Sequence, residues 1–394
     1  MLLACILSLA SLPGPDAEIL TVDETRIRGE IVGLDGTNLR IRTIEGERAL
    51  PCADVLSVTF PRLGTPAEGS HSLLEMLNGD RLLGRPVSGE GDTLRFRLRS
   101  GPVLDLSVSS VRRWIRLGAS ESRPPEDFAG DPEGDRVYRM AQGGLDHLDG
   151  TFLAFEGDAF RFESPLGETR FRFEEAVALV LVPEDEVRSG KGLLALLDLA
   201  DGSRLTGVLE SFEQGALRVS LEGGPSLVLP ASDLASLRFR NGRYVYLSDL
   251  EPAGQEETPF FGGPDALRFS VGRDRSVGGG PLRCAGREYA RGLGLHARTR
   301  LRFDLDGEYR TFRAAVGIDD EVLLFPRSGS AVLRILLDGD RVFESPPLRA
   351  GMEPVRIPDL PLTGARELVV EADFGDGDPI GDRVDLLDPI LVRP

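Results

Sequence analysis

The sequence predicts an all-β protein, and three observations predict it. Its 394 residues include 47 glycines and 27 prolines, a density of chain-turning residues that suits many short strands and leaves little room for long helices. Apolar and polar residues alternate with period two in segment after segment, as in Leu39-Arg40-Ile41-Arg42 and Leu94-Arg95-Phe96-Arg97, which is the pattern of half-buried strands. A spacing of glycines and apolar residues also recurs four times, which implies a repeat architecture.

The chain opens on Leu2 to Leu12, an apolar run followed by Pro15-Asp16-Ala17. Residues 1–17 read as a signal peptide lacking its positive n-region, and the expected location is periplasmic, cell-surface or extracellular. The run is too short to span a bilayer as a helix and no later stretch qualifies, so no membrane span is expected. The three cysteines, Cys5, Cys52 and Cys284, form no C-x-x-C and lie far apart. They read as lone thiols.

The repeats come next. Gly29, Gly84, Gly150 and Gly207 are each followed by an apolar residue at the same distance: Leu39, Leu94, Phe160 and Leu217. Gly46, Gly101, Gly167 and Gly224 then follow at a second shared distance, and each copy closes on an apolar strand such as VLSVTF or LASLRF. The expected boundaries are 18–62, 70–118, 136–183 and 191–240, with polar linkers at 119–135 and 183–190. Asn78-Gly79 and Asp201-Gly202 read as tight hairpin turns, where glycine supplies positive φ. About five short strands fit in each copy, enough for a small closed or nearly closed barrel. The run from Asp201-Gly202 through Leu205, Gly207, Leu217 and Leu229 to Leu234, Leu237 and Phe239 resembles Sm-like small β-barrels.

Such barrels often bind RNA, but a formal net charge of −18 argues against nucleic acid, because phosphate binding needs a basic face. Lys191 is the only lysine, and the arginines are scattered rather than clustered. Trp114, the only tryptophan, reads as a core anchor of the second copy. His71 and His147 read as solvated or capping residues.

The remaining segment contains Arg291-Gly292-Leu293-Gly294-Leu295-His296-Ala297, with Asp319-Asp320 downstream. The G-x-G-x-x-A spacing matches a dinucleotide fingerprint on paper, but that site needs a helix directly after the glycines. Beyond Ala297 the chain instead places Leu301, Phe303 and Leu305 in alternation, Asp306-Gly307 as a turn, then Phe312, Ala314 and Val316 in alternation. This predicts a β-hairpin and excludes the nucleotide loop. No G-x-S-x-G or H-E-x-x-H occurs anywhere, and no segment large enough for a glycosidase scaffold with paired carboxylates is left over. The expectation is a protein that is not an enzyme.

Read as a whole, residues 241–394 run from Gly286 and Tyr289 through the Gly-Leu-Gly-Leu-His-Ala segment to Phe312 and Val316-Gly317-Ile318-Asp319-Asp320. They continue through Leu337-Asp338-Gly339 and Leu360 to Ala365, then Leu368-Val369-Val370, to the acidic run ending at Leu391. This order resembles the NPCBM family of carbohydrate-binding modules. The resemblance implies a galactose-binding-like β-sandwich (a jelly roll), often appended to secreted glycosidases. The full expected fold is therefore four small barrels followed by that sandwich. The family's Asp-His-Ala-Asp-Trp-Ala-Asp run corresponds to Asp382-Arg383-Val384-Asp385-Leu386-Leu387-Asp388. The three aspartates are kept, while Arg383 and Leu386 replace the histidine and the tryptophan. Tyr289 and Phe325 are the residues able to replace the lost aromatic face.

The candidate carbohydrate-binding residues implied by the match are His296, Asp320, Arg383 and Asp385. His296 could instead bond a neighbouring backbone group and fix a turn. Asp376, Asp378 and Asp382 offer the oxygen-rich chemistry of a structural calcium (Ca2+) site, and a solvated acidic loop is the alternative. The expected function is non-catalytic glycan recognition by the last unit, with the repeats as spacers or protein-docking units. The alternative is an interaction protein whose sandwich has lost its sugar.

Overall fold

The computed structural model describes residues 16–34, 37–61, 71–118, 128, 133–142, 144–183, 192–222, 224–258, 269–325, 329–375 and 380–394. Among these, regular structure is strand with a few short 3-10 turns. Residues 1–15, most of the expected signal peptide, and most of the two expected linkers lie outside the described residues. The chain divides after Gly242 into two compact units.

The first unit holds twenty strands in four groups of five. The first group is β1 (Asp16–Thr21), β2 (Arg26–Leu34), β3 (Asn38–Thr43), β4 (Gly46–Pro51) and β5 (Val55–Thr59); the second is β6 (His71–Met76), β7 (Arg81–Gly91), β8 (Thr93–Leu98), β9 (Val103–Ser107) and β10 (Val111–Leu117). The third is β11 (Asp135–Ala141), β12 (Gly144–Gly157), β13 (Ala159–Ser164), β14 (Gly167–Arg172) and β15 (Ala176–Val180); the fourth is β16 (Leu194–Leu199), β17 (Arg204–Glu213), β18 (Ala216–Leu221), β19 (Ser226–Pro230) and β20 (Leu234–Arg240). In every group the first strand pairs with the second and the fifth, the second with the third, and the third with the fourth.

The groups are not four separate barrels. Fifth strands pair antiparallel across groups, β5 with β20 and β10 with β15, and one apolar core runs from Ala17 to Phe239. The four groups are thereby one body joined through backbone hydrogen bonds. The two seams are related by a pseudo-two-fold operation, because equivalent residues meet in the same register. Arg113, Trp114 and Ile115 face Val180, Leu179 and Ala178 at one seam, and Ser236, Leu237 and Arg238 face Thr59, Val58 and Ser57 at the other. Arg81 and Arg204, equivalent residues of the second and fourth groups, pair with each other near the axis.

The repeat glycines Gly29, Gly84, Gly150 and Gly207 sit within second strands rather than in turns. A Cβ there would collide with the carbonyl oxygen of Arg42, Arg97, Glu163 or Ser220 respectively, so the close approach of the third strand selects glycine. The turn glycines are others, such as Gly79 and Gly202, at φ +89° and +92°. Trp114 is a core residue, 4% exposed, with an edge contact to Phe173 at 5.8 Å between centroids. His71 is buried in β6, which corrects the solvated reading. His147 stays half-exposed, 3.7 Å from Asp149. Cys52 and Cys284 are both buried.

The second unit is a sandwich of two antiparallel sheets. Its strands are β21 (Tyr244–Tyr246), β22 (Gly254–Glu257), β23 (Gly272–Arg273), β24 (Leu282–Cys284), β25 (Arg287–Tyr289), β26 (Gly292–His296) and β27 (Thr299–Asp304). There follow β28 (Thr311–Ile318), β29 (Ala331–Leu337), β30 (Asp340–Glu344), β31 (Val355–Pro361), β32 (Glu367–Phe374) and β33 (Arg383–Val392). One sheet runs β23-β26-β33-β28-β31 with β21 also on β33, the other β22-β27-β32-β29-β30, and β24 with β25 forms a small hairpin. Inward residues of both, among them Leu295, Phe303, Phe312, Ile335 and Val370, make the core. The hairpin expected across Asp306-Gly307 is not one. β27 and β28 belong to opposite sheets, so the turn carries the chain across the core. Period two reports burial on one side and says nothing about which strand is the hydrogen-bonded neighbour.

Candidate functional site

The Gly-Leu-Gly-Leu-His segment forms β26, packed between β23 and the central strand β33. A Cβ on Gly294 would collide with the crossing backbone at Arg275 and Val277, and one on Gly292 with the Leu386 carbonyl. Close approach thus explains both glycines. Arg291 is 9% exposed, lies 4.5 Å over the Tyr246 ring, and pairs with Asp274 and Asp249.

At the end of β26, His296 faces Arg383 across the ladder. Phe269 stacks on the imidazole with centroids 4.2 Å apart and planes 11° from parallel. The Arg383 guanidinium lies 5.6 Å from the Phe269 ring centre and 5.0 Å from that of Phe325, and forms an ion pair with Glu321 at 2.6 Å. Two aromatic rings, one imidazole, one guanidinium and one carboxylate therefore converge at one end of the sandwich. Leu323 and Leu324, just before Phe325 in the chain, are exposed. Burial, helped by the charge of Arg383, holds the His296 pKa below the usual imidazole value. The ring is neutral near pH 7, and Nδ1 lies 2.6 Å from the Ala297 carbonyl oxygen. Only an N–H can be bonded there, so Nε2 carries the lone pair.

The other predicted site residues have different surroundings. Asp320 accepts hydrogen bonds from the backbone N–H groups of Ala285 and Gly286 at 3.0 and 2.8 Å, so its carboxylate anchors the β24–β25 hairpin. Asp385 is 1% exposed and lies in β33 opposite Gly294 and Gly317. Burial, a hydrogen bond to Asp319 and the charges of Asp319 and Glu321 push its pKa up to about 10, so it is a protonated acid at neutral pH. Its partner Asp319 accepts from the N–H groups of Glu321 and Arg283, and Cys284 Sγ lies 3.8 Å from Asp385. Tyr289 packs with Leu282 and Cys284 on the hairpin, while Phe325 sits under Arg383. Asp376 and Asp378 lie outside the described residues, and Asp382 is fully buried at the start of β33. Among the described residues no group of three or more His, Cys, Asp or Glu could hold a metal ion.

Phe269 and Glu321 are the site residues that sequence reasoning missed. Glu321 stands directly after the Asp319-Asp320 pair, and that adjacency was a usable signal. Phe269 reaches the site through the tertiary course of its loop, and nothing in its local pattern marks it.

Several known proteins are similar to this chain. A Renibacterium salmoninarum protein named "Putative endo-alpha-N-acetylgalactosaminidase" is 34% identical over 123 residues, 31% of this chain and 8% of that protein. The chain thus spans under a tenth of the length of that curated relative. Among solved structures, a CBM51 module from Clostridium perfringens GH95 in complex with methyl-galactose matches at 24% identity and TM-score 0.33, covering 38% of this chain and 99% of the module. The CBM51-2 and INT domains of Clostridium perfringens ZmpB match at 21% identity and TM-score 0.34, covering 46% of this chain and 39% of that one. Residues 243–392, nearly the whole of the C-terminal unit, match the family model described as the NPCBM/NEW2 domain.

Proposed function

We propose that this protein is a non-catalytic carbohydrate-binding protein whose C-terminal sandwich recognises glycan at the His296–Arg383 end. The convergence of Phe269, His296, Arg383, Glu321 and Phe325 carries the reading. Sugar recognition pairs an apolar face, which takes up C–H groups, with fixed polar groups that read hydroxyls. Here Phe269 and Phe325 offer aromatic surface, the His296 Nε2 lone pair accepts from a hydroxyl, and the charged Arg383–Glu321 pair offers both donors and acceptors. The NPCBM/NEW2 match over residues 243–392 supports the same ligand class.

The site's carboxylates do not suit glycosidic chemistry. Glu321 is held by Arg383, and Asp385 is buried beside Asp319 and Cys284. Glycosidases use two carboxyl groups flanking the scissile bond. We place the protein outside the cytoplasm, and the acidic run from Asp376 remains our candidate for calcium.

The test is glycan-array binding of the whole chain, with calcium and with chelator, followed by titration calorimetry on the best ligand. His296→Ala and Arg383→Ala should each weaken that ligand about tenfold or more, the scale of a lost hydrogen bond to a charged or fixed polar group. Unchanged affinity in both variants would place the sugar elsewhere. Silence across the array from folded protein would overturn the reading and direct the search to protein partners.

A further inference from the structure

The two pseudo-equivalent seams of the first unit have diverged. At the seam of the second and third groups a cavity of about 300 Å3 opens, lined by Trp114, Phe173, Pro86, Arg85, Arg116 and His71, with the Asp158–Arg172 ion pair and Glu174 also in its wall. Counted from the shared glycines, the corresponding residues at the seam of the fourth and first groups are Leu237, Cys52, Leu209, Val208, Phe239 and Leu194. All but Val208 are buried. At these six positions that seam is therefore apolar and, Val208 aside, filled by its own side chains. Its counterpart, in the same strand register, carries charge and an opening. Packing alone accounts for the first; it does not account for guanidinium groups and an indole at the second.

The polar groups at the open seam are under-used. Trp114 Nε1 is buried and has no hydrogen-bond partner among the described residues, a situation that native interiors rarely leave without an acceptor. Asp158 is shared by Arg170 and Arg172. Arg116 donates to the backbone carbonyl of Glu174 rather than to a carboxylate. Arg85 makes no ion pair among the described residues and stands across the β7–β8 ladder from another arginine, Arg97. Like charges opposed across strands are unfavourable unless an anion or solvent intervenes.

We propose that this cavity binds a small organic monoanion, a carboxylate carried on a ring or apolar body. Arg85 and Arg116 meet the carboxylate, Trp114 and Phe173 pack against the body, and the indole N–H donates to an acceptor on the ligand. The volume admits a single ring with its substituents. The net charge of −18 disfavours multiply charged anions, which the field of the whole chain repels. The proposal does not rest on sugar binding by the sandwich.

Trp114 is the sole tryptophan, so intrinsic tryptophan emission of the full chain reads this cavity directly. Titration with glucuronic acid against glucose, and with N-acetylphenylalanine against its amide, separates a sugar acid from a peptide-like carboxylate. The expected result is a saturable emission change, matched by a calorimetric isotherm, with one or both acids and with neither neutral analogue. Arg85→Gln should weaken it about tenfold, whereas Val208→Ala, at the other seam, should leave it unchanged. No saturable change or heat with either acid up to about 10 mM, the weak end of specific binding, would overturn the proposal. Equal response to the neutral analogues would overturn its carboxylate requirement.

Discussion

Asp385 shows how burial decides chemistry at a single residue. Its pKa is raised from 3.8 to about 10, chiefly by burial. The folded state therefore holds one proton more than the unfolded chain between those limits. The associated stability is full below about pH 4 and is lost as pH rises toward 10. Asp385→Asn keeps a donor for Asp319 and removes the titration, so unfolding of the C-terminal unit should lose less stability from about pH 5 to pH 9 in the variant than in the wild type. Equal slopes would mean that Asp385 is ionised in the fold. His296 runs the other way. Its pKa is held low by burial, so glycan affinity should persist at neutral pH and fall only on acidification below pH 6.5, as Nε2 takes up a proton. Calorimetry across that range would show it, and affinity rising on acidification would contradict the acceptor role.

At the scale of the element, the second strand of each group sets the repeat. Gly84 lets β7 bend onto β8, where any Cβ meets the Arg97 carbonyl. Gly84→Ala should cost about 2–3 kcal/mol, the range of overpacking with a backbone shift, measured by urea unfolding. A change under about 0.5 kcal/mol would mean that the strands separate freely there. The four glycines were legible in the sequence as a spacing, and so were the strands around them. Their reason was not legible, because a turn glycine and a close-approach glycine look alike until the neighbouring strand is in place.

At the scale of the molecule, the second and fourth groups are tied by reciprocal contacts. Asp80 accepts from the Thr206 N–H at 2.8 Å and from its hydroxyl at 2.7 Å, while the Leu83 N–H donates to Ser203 Oγ at 2.9 Å. The Asp80 carboxyl is buried, and that raises its pKa. Asp80→Ala leaves a buried N–H unpaired and should destabilise the first unit by about 1–3 kcal/mol. A double-mutant cycle with Thr206→Ser, which removes only the methyl, should show little coupling, whereas one with Thr206→Val, which removes the hydroxyl, should couple by about 1 kcal/mol. Coupling indistinguishable from zero in the second cycle would mean that the groups fold without this contact.

The alternation in Leu94-Arg95-Phe96-Arg97 and the turn at Asn78-Gly79 determined strands and reversals on their own, because both are local consequences of backbone geometry and side-chain direction. The order of residues from Gly286 to Asp388 likewise carried the domain family. Sequence alone could not decide that β27 and β28 lie in opposite sheets, that β10 pairs with β15, or that Phe269 stacks on His296. Those facts depend on which apolar faces meet across long stretches of chain. Only the assembled core, where Asp385 loses water and Arg383 gains Glu321 as a partner, decides which polar residues are buried and which stay near the surface.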